Sequence, residues 1–489
     1  MLAAAGLVAM PAAAQCDTVS FGNPTGFALP NGTVSIDVGD VDGDGNVDLL
    51  SADSSSPIKI FVSYGDGLGE FGAPIEVTSS ALLGRTGKVQ LADVNGDGAL
   101  DITGYTSQDV REFFTLINNA AGGFSFGTRV ALTREGLFFA ATDIDNDGDY
   151  DCVIATRRDS GFVVLENDGV GSFTVFAEFD GVEPRDGLLV ADLNGDLLAD
   201  IVGAGGNEAN IYFQLVGGGF SAPSRLFFPL TTIIRDSVTL DADVDGDTDV
   251  VWSLTSSASD IRVARNDGLG NFVLEATSAV GQTTFTTLAA ADINADGFDD
   301  FAAGSSDDSF DVYLNEQSGG FQFVQSVPSI PQDLSRELFA IDVDSDGDVD
   351  FVERRGNTAV VVLNQCNSAP LIDQQPTQAI ADEGDAVVLS VGATLGTRPL
   401  AYQWLKNGEP MVDGGSVTGA TSPTLTISPA TPNDSDIYET IVSNAFGSDV
   451  SEPAVVAVRE TCVADLNGDG AIDFFDVSAF LDEVEIGCD

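Results

Sequence analysis

The sequence predicts an all-β protein. Its main body reads as a seven-bladed β-propeller closed by its own N-terminal strand, followed by a β-sandwich and a short calcium loop–helix module. Two observations carry the propeller. An Asp-rich nonapeptide recurs seven times, starting at Asp40, Asp93, Asp143, Asp192, Asp241, Asp292 and Asp342, with spacings of 53, 50, 49, 49, 51 and 50 residues. Half a period away, Gly-rich turns end in Phe71, Phe124, Phe173, Phe220, Phe272 and Phe321. About fifty residues hold four strands of ~5–6 residues with their turns, and a ring of such sheets is a propeller.

Taken in chain order, residues 1–14 come first. MLAAAGLVAMPAAA is apolar and ends in the small-residue pattern of a signal-peptidase site, so it reads as a secretory signal peptide, although the usual basic n-region is absent. No other stretch approaches the ~20 apolar residues of a membrane span. The expectation is a secreted or cell-surface protein without a transmembrane segment.

The propeller covers 16–366. Each Asp loop lies between short runs rich in β-branched and aromatic residues (VQLA, LLVA and LFAI before; LLSA, IVGA and FVER after), which read as strands. The turns LENDGVGSF and ARNDGLGNF have hairpin chemistry. Fifty residues before Phe71 stands Phe21, so the chain enters on a Phe half-unit and leaves the ring on an Asp half-unit. The last blade then lacks its outer strand, and the segment around Phe21 supplies it. Where other blades have a turn, this one has Cys366 leaving and Cys16 arriving. A disulfide between them would close a loop of about 350 residues, on the order of 5 kcal/mol by chain entropy. Cys152, inside the strand after the third loop, reads as a buried, inert thiol.

The loops carry the chemistry. In D-x-[DN]-x-D-G-x-x-D, side-chain oxygens stand at positions 1, 3, 5 and 9, position 7 offers a carbonyl, and Gly at 6 permits the turn. Hard oxygen ligands in this density suit Ca²⁺, which takes six to eight of them. Mg²⁺ would demand stricter octahedral geometry and keep more of its water. The ligand places are Asp40, Asp42, Asp44, Asn46 and Asp48 in the first loop, and Asp93, Asn95, Asp97, Ala99 and Asp101 in the second. The third has Asp143, Asp145, Asp147, Asp149 and Asp151, and the fourth Asp192, Asn194, Asp196, Leu198 and Asp200. Asp241, Asp243, Asp245, Asp247 and Asp249 follow, then Asp292, Asn294, Asp296, Phe298 and Asp300, then Asp342, Asp344, Asp346, Asp348 and Asp350. Leu197 replaces the glycine of the fourth loop, where a strained turn and weaker binding are expected. Unscreened, these carboxylates would repel one another, so calcium is expected to be a folding ligand.

The pattern resembles the FG-GAP/VCBS repeat family, and Phe71-Gly72-Ala73-Pro74 spells part of that name. The resemblance covers 16–366 and implies a calcium-binding propeller of the integrin-α type, a family that mostly serves adhesion and ligand binding.

Beyond a linker, residues 370–458 resemble a bacterial immunoglobulin-like domain. Trp404 falls on a C-type strand and Asp434 precedes Tyr438, which would make the tyrosine corner. Val391 and Thr440 stand where the inter-sheet disulfide would be. Residues 462–488 place Asp465, Asn467, Asp469, Asp473 and Asp476 at positions 1, 3, 5, 9 and 12 of an EF-hand-like loop, with Ala471 offering the position-7 carbonyl. A helical apolar pattern follows, and Cys462 and Cys488 bracket the module as a pair. It resembles one half of a dockerin, which implies a cohesin-like partner or an envelope anchor.

Composition fixes what these modules can do. Against 77 Asp plus Glu stand 19 Lys plus Arg and no His, a formal charge of −58. That excludes a nucleic-acid binder, which needs a basic face, and leaves no His-based catalytic or metal site. About seven calcium ions in the propeller and one in the tail would add +16 to −58, giving about −42. The three modules fill the mature chain. The expected function is non-catalytic adhesion or recognition of a protein or glycan. The alternative is a polysaccharide-degrading enzyme or enzyme-complex subunit attached through the dockerin-like tail, since glycosidase chemistry needs only two carboxylates. A structural component of an envelope or matrix is a third reading.

Overall fold

In the computed structural model the described residues are 19–459, apart from 79–83, 108–109, 120–122, 158–160, 181–186, 217, 230–231, 256–259, 277–284, 317–319, 332–334, 366–368, 394–399 and 445. They fall into two units, 19–365 and 369–459. Both are all-β, and one 3₁₀ turn, Pro432–Asp434, interrupts the strands.

The first unit is a repetition of four-stranded antiparallel sheets, seven among the described residues, as a propeller requires. The first sheet joins Thr33–Gly39, Asp48–Asp53, Ile60–Ser63 and Ile75–Glu76 in sequence order. In every sheet the second strand starts on the ninth residue of the Asp loop: Asp48, Asp101, Asp151, Asp200, Asp249, Asp300 and Asp350. These strands are buried along nearly their whole length. Outer strands such as Phe321–Pro328 alternate between half-buried and exposed residues. The last sheet takes its outer strand from the other end of the chain, Thr25–Ala28 pairing with Thr358–Val362. Phe21 bridges Asn364 just as Phe173 pairs with Asn167 and Phe272 with Asn266. The half-unit offset is thus a strand exchange between chain ends.

The apolar cores lie between sheets. Val41, Leu50 and Val62 pack against Val89, Ile102 and Phe114 of the next sheet, and such pairs of neighbouring sheets share cores throughout. Ile36 and Leu49 of the first sheet pack with Val352 and Val361 of the last, which closes the cycle. Polar clasps join the innermost strands as well. Asp37 accepts the Leu91 N–H at 2.7 Å, Asp236 that of Leu288 at 2.8 Å, and Glu337 that of Ile36 at 3.0 Å. Six innermost strands carry a β-bulge at one register position, centred on Val34, Gly87, Leu137, Arg235, Thr286 and Arg336. The carbonyls of Val34 and Leu137 accept from Arg354 and Tyr105. An extra residue whose carbonyl has a dedicated donor is a built feature rather than an irregularity.

Cys152 lies fully buried in the strand Asp151–Arg157, where burial pushes its thiol well above the usual range. Cys16, Cys366, Cys462, Cys488 and the whole 462–488 loop–helix lie outside the described residues.

In the second unit, Ala379–Asp382, Ala454–Arg459, Asp436–Ser443, Ala401–Lys406 and Glu409–Pro410 make one sheet; Val387–Ser390, Thr424–Ile427 and Val417–Thr418 make the other. Trp404 and Tyr438 are wholly buried, and Tyr438 Oη donates to the Asp434 carbonyl at 2.8 Å, the tyrosine corner. Val391 and Leu389 pack around Trp404, and Trp404 Nε1 donates to the Ser422 carbonyl at 2.9 Å. An apolar contact thus replaces the disulfide.

Five asparagines, each over 70 residues from its partner in the sequence, join neighbouring sheets. The amides of Asn118, Asn167, Asn266, Asn315 and Asn364 donate to the carbonyls of Val41, Val94, Leu193, Ala242 and Ile293 in the preceding sheet's loop, at 2.6–3.2 Å. Asn167 also donates to the Tyr150 carbonyl at 3.1 Å. Asn167→Ala would leave these two carbonyls unpaired, and we expect a loss of roughly 2–4 kcal/mol in urea unfolding at saturating calcium. An unchanged midpoint would show that this bond does not join the sheets.

Candidate metal centres

Each Asp loop is shaped first by its own backbone. Position 1 accepts the N–H of position 6 in all seven loops, at 2.8–3.0 Å. Position 5 accepts the N–H of position 7 at 2.8–3.2 Å. Position 9 has two donors. One is the N–H of position 2, at 2.8–3.2 Å. The other comes from the end of the third strand, at 2.7–2.8 Å, supplied by Gly65, Asn118, Asn167, Gln214, Asn266, Asn315 and Asn364. One carboxylate therefore ties the loop to two strands of its sheet.

Two positions per loop take left-handed backbone, not the one that sequence reasoning picked out. Position 6 is Gly except for Leu197, which adopts φ +68° and keeps its 2.8 Å bond to Asp192. The strain expected there is present, at about 1–2 kcal/mol for an L-residue. Position 4 is also left-handed, and there Asn146, Val244, Ala295 and Ser345 accept what glycine would accept freely. Strained backbone of this kind gathers at ligand clamps.

Of the predicted ligand places, the structure brings together positions 1, 3 and 9. Carboxylate oxygens of Asp40, Asp42 and Asp48 lie within 4.8 Å of one another, as do those of Asp143, Asp145 and Asp151, of Asp241, Asp243 and Asp249, and of Asp342, Asp344 and Asp350. In the second, fourth and sixth loops Asn95, Asn194 and Asn294 take position 3, leaving one carboxylate fewer at those places. Position 5 stands outside these groups: Asp44, Asp97, Asp147, Asp196 and Asp245 are exposed and turned onto the loop backbone, whereas Asp296 is half-buried and Asp346 is buried with its side chain bonded to that of Asp344. At position 7, a Cβ on Gly268 would come to 2.5 Å from the Asp247 carboxylate, and the φ of +70° at Gly268 favours glycine there.

The centres fit a hard cation. Asp145 Oδ1, Asp149 Oδ1, Asp243 Oδ1 and Asp344 Oδ1 are buried without a hydrogen-bond partner, and an anionic oxygen buried that way is costly unless a cation meets it. In the fifth loop Arg265 Nη1 lies 2.7 Å from Asp243 Oδ2, so a cation of the chain already offsets part of that site. The position-9 carboxyls show the same tension. Burial pushes Asp48, Asp101, Asp200 and Asp249 up to about 6, Asp151 and Asp300 to about 7, and Asp350 to about 8, against the lowering effect of their backbone donors. Asp168 and Asp267 go the other way. Hydrogen bonds from Ser172 and Asn271 lower them, and they are turn residues rather than ligands.

Known proteins resemble the chain in parts. FG-GAP-like repeats match over 40–103, 143–202, 241–303 and 292–352, each match spanning two successive Asp loops, and an immunoglobulin domain matches over 369–444. No curated protein matches the chain. Among solved structures, the titin M10–obscurin-like 1 Ig complex aligns at 24% identity over 19% of this chain and 98% of that one, with a TM-score of 0.18. A Lactobacillus plantarum protein aligns at 11% identity over 62% of this chain and 86% of that one, with a TM-score of 0.46. The chain thus carries FG-GAP-like repeats followed by an immunoglobulin-like domain.

A pH dependence follows. The raised position-9 carboxyls keep protons in the metal-free folded state that the unfolded chain has released above its ordinary 3.8. Their contribution is therefore full below about pH 4 and disappears as pH rises through 6–8. Metal-free protein should lose melting temperature steadily between pH 4.5 and 8, whereas calcium-saturated protein should not. Parallel curves with and without calcium would contradict this origin.

Proposed function

We propose that residues 16–366 form a seven-bladed calcium-binding propeller, and that the chain is a secreted or cell-surface recognition protein without catalytic activity of its own. The carrying observation is the repeated convergence of carboxylates at positions 1, 3 and 9 with buried, unpartnered oxygens among them. Aspartates 40, 42 and 48 and their counterparts would hold the ions, with Asn95, Asn194 and Asn294 supplying the amide oxygen in the alternate loops. Bound calcium would supply charge neutralisation and cross-linking of the loop, not reaction chemistry. Oxygen-only, irregular, multidentate sites of this kind suit Ca²⁺ better than Mg²⁺.

In this reading the closed ring of sheets is a rigid platform and the immunoglobulin-like unit is a spacer. The 462–488 module, with Asp465, Asn467, Asp469, Ala471, Asp473 and Asp476 around an eighth ion, would attach the protein to a cohesin-like partner or an envelope. The test is a glycan and matrix-protein array probed with the purified chain in calcium and again in chelator. Saturable binding that chelation abolishes, with no cleavage of any bound polysaccharide, is the expected result. Release of reducing sugar from a polysaccharide would overturn the non-catalytic reading.

A further inference from the structure

A cavity of about 540 Å³ opens among the innermost strands, within the ~300–1,000 Å³ range of small-ligand sites. Five of the bulged residues line it: Val34, Gly87, Leu137, Arg235 and Thr286. Each bulge stands six residues before the first Asp of its loop, so at ~3.3 Å per residue the cavity lies about 20 Å along the strands from the metal centres. The Asp loops do not account for these bulges, and bulges commonly re-aim side chains towards a site.

The charges around the cavity are unusual for this chain. Three of its 19 cationic residues, Lys88, Arg235 and Arg354, line it. The acids there are already engaged: Asp236 by the N–H groups of Leu288 and Ser237, and Glu337 by Ile36, Ser35 and Arg354. Nearby Asp37 is held by Leu91. Arg354 is committed to Glu337 at 2.6 Å and to the Val34 carbonyl. By contrast, the half-buried Lys88 ammonium forms no hydrogen bond or contact ion pair among the described residues, although its charge acts on nearby Asp37 and Asp236. Among the described residues Arg235 bonds Thr255 alone, through Nε at 2.9 Å. Two cationic groups thus keep hydrogen-bond donors for a ligand.

We propose that this cavity binds a carboxylated sugar, with Lys88 and the Arg235 guanidinium receiving the carboxylate. A guanidinium fork matches a carboxylate. The Thr286 hydroxyl donates to the Gly304 carbonyl at 3.3 Å and that of Thr287 bonds Asp236, so towards a sugar hydroxyl they act as acceptors, while Leu137 and Phe138 give an apolar wall for a pyranose face. A doubly charged phosphate would be repelled by Asp37, Asp236 and Glu337 about twice as strongly as a singly charged carboxylate, which favours the latter. The inference rests on the recognition reading and names its ligand class.

The experiment titrates the full, calcium-loaded chain by calorimetry with D-glucuronate and tri-galacturonate, and with D-glucose and glucose 6-phosphate as controls. Uronates should bind saturably and the controls at least tenfold more weakly. Lys88→Gln and Arg235→Gln should each weaken uronate binding about tenfold without moving the melting temperature or the calcium response. Binding unchanged in both variants, equal binding of glucose or its phosphate, or no uronate binding by folded wild-type protein would each overturn the assignment. If uronates fail while the array finds another calcium-dependent ligand, the cavity assignment falls and the recognition reading stands.

Discussion

Seven buried carboxylates hold this fold. Each position-9 aspartate accepts one N–H from its own loop and one from the third strand of its sheet, so the loop, the second strand and the third strand meet at one anion. Burying an anion is unfavourable, and two neutral donors offset the cost only in part, as the upward shift of these carboxyls shows. The remaining field can be met by a proton or by a metal ion. The nonapeptide spacing, the left-handed residues at positions 4 and 6, and the start of every second strand on this aspartate are consequences of placing a carboxylate there.

The same loops also carry the ring. The position-2 residue gives its N–H to the aspartate of its own loop, and in five loops its carbonyl receives an asparagine amide from the next sheet. Loop and inter-sheet contact therefore form one mechanical unit, and a change at the position-9 carboxylate would be felt at the joint between sheets as well as in the loop. Three to five residues before the loops, Asp37, Asp236 and Glu337 join neighbouring sheets through backbone N–H groups. Acidity thus does two kinds of structural work in this chain, shaping the loops and clasping the innermost strands to one another.

Local periodicity was readable in advance. The Asp loops, the Phe21 half-unit and the Tyr438 corner are each encoded within a few residues or by a fixed repeat length, and Phe21 does pair with Asn364. What depended on long-range geometry was not readable. Asp44 and Asp42 look alike in the sequence, but only Asp42 turns towards Asp40 and Asp48, because the turn directs Asp44 onto its own backbone. Val244 gave no hint of left-handed backbone. The asparagine role had a signal, an Asn or Gln 14–17 residues after the ninth Asp in most units, but its partner lies over 70 residues away. The bulges and their cavity arise only when seven strands converge.

The central claim is that these loops are metal centres on which the fold depends. Its most direct measurement is the calcium content of the full chain after equilibrium dialysis, by elemental analysis. The account predicts about seven ions from the repeats and one more from the tail, with the four loops bearing Asp at position 3 filling first. A chain that stays folded through dialysis and retains one ion or none would contradict it.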